Sequence, residues 1–395
     1  MASVTAMRRT TWNLPRHRWQ FPQREHFFVT DAHADAEAFL QSLEATGGVV
    51  RRGSSGEIRL TPRGRDAVFV MGGDYFDKGP SNLQMLRALE RLVRSGAEVV
   101  LLAGNHDVRT LLAIAYGEDS SPKLAHLFAR TCPKVVPLLR EVYDAYVAPT
   151  PGLVLEDDEA VASRLLPPAQ WWDDFPPLVA GMVPPKRVAK ELRRVREKCG
   201  QLRAAIAERG MTMGMVGATL RACRRHFLEP GGDFTWLYER LQVVHRAGSF
   251  LFCHAGVDDV VAHTLQAKDS AALNGSFRTL LESDPFALYN GPVGNLFRTK
   301  YRGQDFPFTE EGADCLRASG VFGIVHGHRT HVTGQQLRMR NGIAHFECDT
   351  SLDRNTRLQS GLPGIGRSAT IIGRDSIWGI SNDGIPEGVL EATPA

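Results

Sequence analysis

Two short runs constrain this 395-residue chain more than any other: GGDYFDKGP at Gly72 to Pro80 and AGNHD at Ala103 to Asp107. Each closes an apolar segment, Ala67 to Met71 and then Val99 to Ala103, that reads as a buried parallel strand. Open α/β sheets take their ligands beyond the carboxyl ends of such strands, so two polar clusters side by side make a site. Asp74, Asp77, Asn105, His106 and Asp107 gather there. Hard oxygen donors mixed with imidazoles suit a divalent cation and phosphate chemistry.

The same grammar recurs on either side. His26 to Thr30 (HFFVT) reads as a strand delivering Asp31 and His33, and Asp35 to Leu43 as a helix. Gly47 to Pro62 has the pattern of a hairpin turning at Gly53 to Gly56. Asn82 to Arg94 places Leu83, Leu86, Leu89 and Val93 at helical spacing, which gives βαβα order. Later, Ser249 to Cys253 delivers His254, Thr309 to Ala318 is a helix, and Val321 to Val325 ends in His326-Gly327-His328. Asn341-Gly342 between two β-like runs predicts a tight hairpin. With Ala369 to Ile372 and Ser376 to Ile380, it suggests that the C-terminal part is an antiparallel second sheet packed on the first.

Between these halves, residues 117–246 change character. Paired prolines separate helical pieces, and Val188, Leu192, Val195, Cys199, Leu202 and Ile206 mark one amphipathic helix. Its charged face, with Lys186, Arg187, Arg193, Arg194 and Arg196, is read as solvated. The expected organisation is a basic, solvated extension over 1–25, a catalytic domain over 26–116 and 247–395, and a helical insert over 117–246 that can act as a lid. A net charge of +3 is too small to call for nucleic acid, so that partner is not expected. No apolar run reaches the roughly 20 residues needed to span a bilayer. Six cysteines without a CxxC pair disfavour disulfides and zinc ribbons, which points to a reducing cytoplasm.

Asp31, His33, Asp74, Asn105, His254 and His328 are therefore six ligand candidates on five strand ends. A carboxylate such as Asp74 can bridge two cations, with Asp31 and His33 completing one ion and Asn105, His254 and His328 the other. Such a pair would lower the pKa of a bridging water and supply hydroxide as nucleophile. His106 is left to protonate the leaving oxygen, oriented and charged by Asp77.

The blocks DAH (Asp31 to His33), GDYFDKG (Gly73 to Gly79), GNHD (Gly104 to Asp107), HAG (His254 to Gly256) and the late Gly327-His328 resemble those of the calcineurin-like metallophosphoesterases, more narrowly the phosphoprotein phosphatase branch. The stretches GPSNLQMLRALERL and GNHDVRTLLAIAYG also resemble bacterial diadenosine tetraphosphate hydrolases, and CDTSL at Cys348 to Leu352 is similar to the phosphatases' IDTG block. The resemblance covers residues 26–110 and 249–352. It implies an α/β (α+β) fold, a β-sandwich of two mixed sheets flanked by helices, with the six candidates holding two divalent metals (Mn, or Fe or Zn). The chain departs from the pattern at Thr30 and Ala34, where the family has glycine, and at Lys78, where it has a phosphate-clamping arginine; Arg302 and Arg298 are candidates for the other phosphate arginine. The implied function is a dinuclear metal-dependent phosphatase for phosphate monoesters, acting on a phosphoprotein or a nucleotide and not at a membrane. The alternatives are a dinucleoside polyphosphate hydrolase and, in another class, an inactive scaffold that binds partners through the insert.

Overall fold

The computed structural model describes residues 8–13, 19–52, 56–383 and 389–391. In chain order its strands are β1 (Arg8–Asn13), β2 (His26–Val29), β3 (Val49–Arg52), β4 (Glu57–Leu60), β5 (Val68–Met71), β6 (Glu98–Leu102), β7 (Leu241–Gln242), β8 (Val244–Ala247), β9 (Phe250–Cys253), β10 (Gly323–His326), β11 (Gln336–Arg340), β12 (Ile343–Glu347), β13 (Ser368–Ile372), β14 (Ile377–Ser381) and β15 (Val389–Glu391). One sheet runs β15-β1-β14-β13-β2-β5-β6-β7 and a second β11-β12-β10-β9-β8, while β3 and β4 form a separate hairpin. The turn of that hairpin lies outside the described residues.

Strand alternation explains why both faces of each sheet are covered. Phe27 and Val29 of β2 share the larger core with Phe39 and Leu43 of the helix Ala36–Ala45. Phe28 between them points the other way, into a layer with Val70, Phe252, Val325 and Phe346. Successive side chains on a strand face opposite sides, so a continuous apolar run is what a strand buried on both faces needs. The Phe28, Val70 and Phe252 layer is the seam between the sheets. Helices, including the two parallel crossovers Ala36–Ala45 and Asn82–Arg94, cover the outer faces.

β2, β5 and β6 are parallel neighbours, as are β9, β10 and β12. The expected all-antiparallel C-terminal sheet is corrected on two counts. The Asn341-Gly342 turn inserts β12 between β11 and β10, and because β11 runs back, β12 must run with β10. β13 and β14 leave that sheet and extend the first, β13 pairing antiparallel with β2 and β14 antiparallel with β13. The N-terminal segment also differs from a solvated arm where it is described. β1 pairs with β14, and Trp12 is buried edge-on against Phe346 at 5.4 Å between ring centroids. Arg16 and Arg18 lie outside the described residues.

The amphipathic helix of the insert spans Pro185–Glu208, opened by a proline at its first position. Val188 and Val195 pack with Trp171 and Phe175 in a small separate core, whereas Leu202 and Ile206 enter the main one. Among the described residues, no helix is long and apolar enough to cross a membrane.

Candidate metal centre

The strand ends β2, β5, β6, β9 and β10 converge at one edge of the sandwich, and Asp74 is their meeting point. Its Oδ2 lies 3.6 Å from His33 Nε2, 3.9 Å from His106 Nε2 and 3.5 Å from His254 Nε2. Two groups there could hold a metal ion, His33 with Asp74 and His106, and Asp74 with His254 and His328. Asp31 adjoins both: its Oδ1 is 3.8 Å from His33 Nε2, and its Oδ2 accepts from the His328 backbone N–H at 3.0 Å.

Two of the rings are turned by a bond on their far side. His33 Nδ1 sits 3.3 Å from the Phe76 carbonyl and His254 Nδ1 2.7 Å from that of Gly72, so both present Nε2 to the centre. Asn105 Oδ1, His254 Nε2 and His328 Nε2 are buried without any hydrogen-bond partner. Buried polar atoms are rarely left so, and His254 and His328 Nε2 fall in one group with Asp74 that a cation would satisfy. The charges agree. Burial and the neighbouring Asp349 push Asp31 up to about 8. Asp74 is held well below the usual carboxylate range, its burial outweighed by His254 and His106, and His254 is held up at about 10 against its own burial by Asp74 and Asp31. Carboxylates crowded out of water need positive charge, and the donor set fits divalent ions.

The backbone is bent to make this possible. Asp31, His33, Asp74, Asp77, Lys78 and His328 all have positive φ. Such residues cost about 1–3 kcal/mol each and persist where the surroundings over-determine them. Close approach needs small residues. A Cβ on Gly104 would lie 2.2 Å from Asp74 Oδ1, and one on Gly327 2.0 Å from Asp31 Oδ2. Ala34 adopts a φ of 57° where the family has glycine, and Thr30 donates to Asp31 Oδ2 at 2.6 Å.

His106 Nδ1 lies 2.7 Å from Asp77 Oδ2, as the acid-pair reading requires. Burial lowers the His106 pKa, opposed by Asp74 and Asp77, while His106 and Lys134 keep Asp77 ionised in spite of burial. Lys78 Nζ reaches His33 Nε2 at 2.6 Å, so it points into the centre. Arg298 and Arg302 line a cleft with Asn105 and His328. Thus every candidate from the sequence reaches this edge. One detail differs: His106 Nε2 falls in the His33 and Asp74 group, the place assigned to Asp31. His326 and His331 turn instead to the Gly327 carbonyl and Glu347.

Sequence reasoning placed Asp107 at the site without a role for it and missed several other contributors. Asp107 accepts from the backbone N–H groups of Asp74, Tyr75 and Gly104 at 2.7, 2.7 and 2.8 Å, tying the two loops together at the start of the helix Asn105–Tyr116. Arg109, one turn beyond His106 on that helix, was visible only as an i, i+3 spacing. Lys134, 3.5 Å from Asp77, and Arg130 come from the insert, and no local signal marks them. The charged face of Pro185–Glu208 is not simply solvated, because Arg187, Lys190 and Arg194 line the cleft that reaches Asn105 and His328.

Residues 27–186 match the family model of the calcineurin-like phosphoesterases, while His254 and His328 lie beyond the matched span. No curated protein sequence matches the chain. Similar solved structures include a mutant cold-active protein tyrosine phosphatase, at 15% identity over 95% of this chain and 80% of that one, TM-score 0.44. Others are the cold-active protein tyrosine phosphatase of a psychrophilic Shewanella species, with the same identity and coverage and a TM-score of 0.43, and a protein serine/threonine phosphatase from Saccharomyces cerevisiae, at 10% identity over 95% of this chain and 86% of that one, TM-score 0.41. The family match and two ligand groups meeting at Asp74 show that the chain carries a calcineurin-like metallophosphoesterase domain with a dinuclear metal-binding site, a metal-dependent phosphoester hydrolase.

Proposed function

We propose that this hydrolase is a phosphomonoesterase of the phosphoprotein phosphatase type. The observation that carries the reading is the placing of Asp74 Oδ2 within 3.5–3.9 Å of three histidine Nε2 atoms. Asp31, His33 and Asp74 would hold one ion, and Asp74, Asn105, His254 and His328 the other. Manganese is our first choice, since carboxylate, amide and imidazole donors accept it, as they do iron and zinc. Bound divalent cations supply charge for the phosphoryl oxygens and a water of lowered pKa.

The remaining work falls to the chain. His106, its Nδ1 committed to Asp77, presents Nε2 as the atom that passes a proton to the leaving oxygen, and ionised Asp77 favours the ring's charged form. Lys78, Arg298 and Arg302 would hold the phosphate oxygens. Residues 117–246 act as a lid in this reading, supported by Lys134, Arg194 and Lys198 sharing a cavity of about 390 Å³ with His106 and Asp77. Six free cysteines, five of them buried, support a reducing cytoplasm. The narrower likeness to diadenosine tetraphosphate hydrolases finds no support in the comparisons. The test is Mn-stimulated hydrolysis of an aryl phosphate by the wild type and by Asp74→Asn. Turnover is expected only in the wild type, and equal turnover in both would refute the assignment.

A further inference from the structure

We propose that the cleft between the helix Pro185–Glu208 and the segment 298–305 is a subsite for a second phosphoryl group, which makes the substrate a small molecule carrying at least two phosphates. The proposal rests on the phosphoesterase reading only for the position of the first phosphate. The cleft encloses about 240 Å³, and Asn105 and His328 form part of its wall, so it opens directly onto the metal centre. Arg109, Arg187, Arg194, Arg298, Lys300 and Arg302 line it, and none of these makes an ion pair among the described residues. Of the two carboxylates in the lining, Glu191 is taken by Arg130, and Asp305 accepts from the backbone N–H groups of Lys300 and Arg302.

Two of the cations are already committed to one ring. Arg109 and Arg298 both stack on Tyr289, at 5.5 and 5.6 Å from its centroid, and Arg109 Nε donates to the Tyr289 hydroxyl at 2.6 Å. Arg298 Nε is buried with no partner. Like charges held together out of bulk water are destabilising unless an anion joins them, and guanidinium forks are shaped for phosphate oxygens. One phosphate at the metals cannot use them all. Arg187 and Arg194 come from the insert helix and Arg298 and Arg302 from a segment more than 100 residues later, so a second anion in the cleft meets cations from two separate parts of the chain.

The enclosure favours a small ligand over a nucleic acid. A polynucleotide needs a long track of cations, whereas these line a single cleft of about 240 Å³ that shares Asn105 and His328 with the metal centre. A nucleotide, a sugar bisphosphate and inorganic polyphosphate share the required chemistry.

Isothermal titration of the metal-loaded protein with inorganic tripolyphosphate and with orthophosphate tests the subsite, and ATP and fructose bisphosphate as further ligands distinguish the sources. Tripolyphosphate is expected to bind at least about tenfold more tightly than orthophosphate, the yield of one added charge-assisted contact. In the double variant Arg187→Gln and Lys190→Gln, both lining this cleft and neither lining the His106 cavity, that margin should fall about tenfold, with orthophosphate affinity and aryl-phosphate turnover within about twofold of wild type. Equal affinity for the two anions, an equal loss for both in the variant, or tighter binding of a single-stranded RNA would overturn the proposal. Should the wild type bind tripolyphosphate as expected yet leave aryl phosphate untouched, the phosphatase reading fails and the subsite stands.

Discussion

A single oxygen does most of the organising. Asp74 Oδ2 faces three imidazoles while Oδ1 accepts from the His106 backbone N–H at 2.9 Å, and Asp107 in turn holds the Asp74 backbone. Gly104 leaves the space that this needs. Gly104→Ala would press a methyl into Asp74 Oδ1, so the variant should lose bound metal and turnover together, which metal analysis beside an aryl-phosphate assay checks. His106→Ala separates the two roles open to that ring. As a proton donor its loss should cost about 10²- to 10⁴-fold in kcat at an unchanged two metals per chain. A fall in metal content would make it a ligand. The residues of the centre were legible because each sits at the end of an apolar run. Their strain was not: positive φ at Ala34, Lys78 or His328 comes from neighbours distant in sequence.

At the scale of elements, the seam between the sheets fixes how the two sets of ligands meet. Phe252 carries the β9 side of that seam and touches Phe28 at 5.9 Å between ring centroids. Phe252→Ala should therefore cost about 3–5 kcal/mol of unfolding free energy, measured by urea titration. A cost below about 1 kcal/mol, within the range of ordinary surface changes, would mean that the seam is not the packed layer described. Strand and helix positions were readable from period and punctuation, down to Asn82–Arg94. Pairing was not, since nothing local says that β13 joins β2 or that β12 runs beside β10. The insert was legible as helices but not in its attachment. Leu220 and Phe227 lie in the main core, and Phe227 packs on Phe76, 6.2 Å away, so excising the segment would open the domain beneath it. Its influence on substrate choice is better read from point changes at Arg187 and Lys190.

Over the whole molecule, charge links stability to pH. Glu347 is buried, yet its carboxyl is held well below its ordinary value: burial would raise it, but the bond to His331 at 2.6 Å, the nearby His326 and the Arg340 bond at 2.6 Å prevail. A depressed carboxylate adds stability that is present above its unfolded pKa, about 4.3, and is lost as pH falls through the folded value. Wild-type urea midpoints should thus decline below about pH 4.3, more steeply than those of Glu347→Gln, and parallel curves would show that Glu347 carries no such linkage. The family resemblance named six candidate ligands, because a scattered set of metal ligands has a fixed order along the chain. The tie that Asp107 makes between the loops, Lys134 and the basic cleft stayed hidden, because a supporting hydrogen bond or an unpaired arginine has no signature until the chain is folded.

In this reading, distant strand ends close around two cations that share Asp74. Metal content of the purified protein, measured by mass spectrometry beside that of a folded Asp74→Asn variant, tests it most directly. Two divalent ions per chain are expected in the wild type and fewer than one in the variant. Full occupancy in both, or no bound metal in the wild type after loading with manganese, would contradict it.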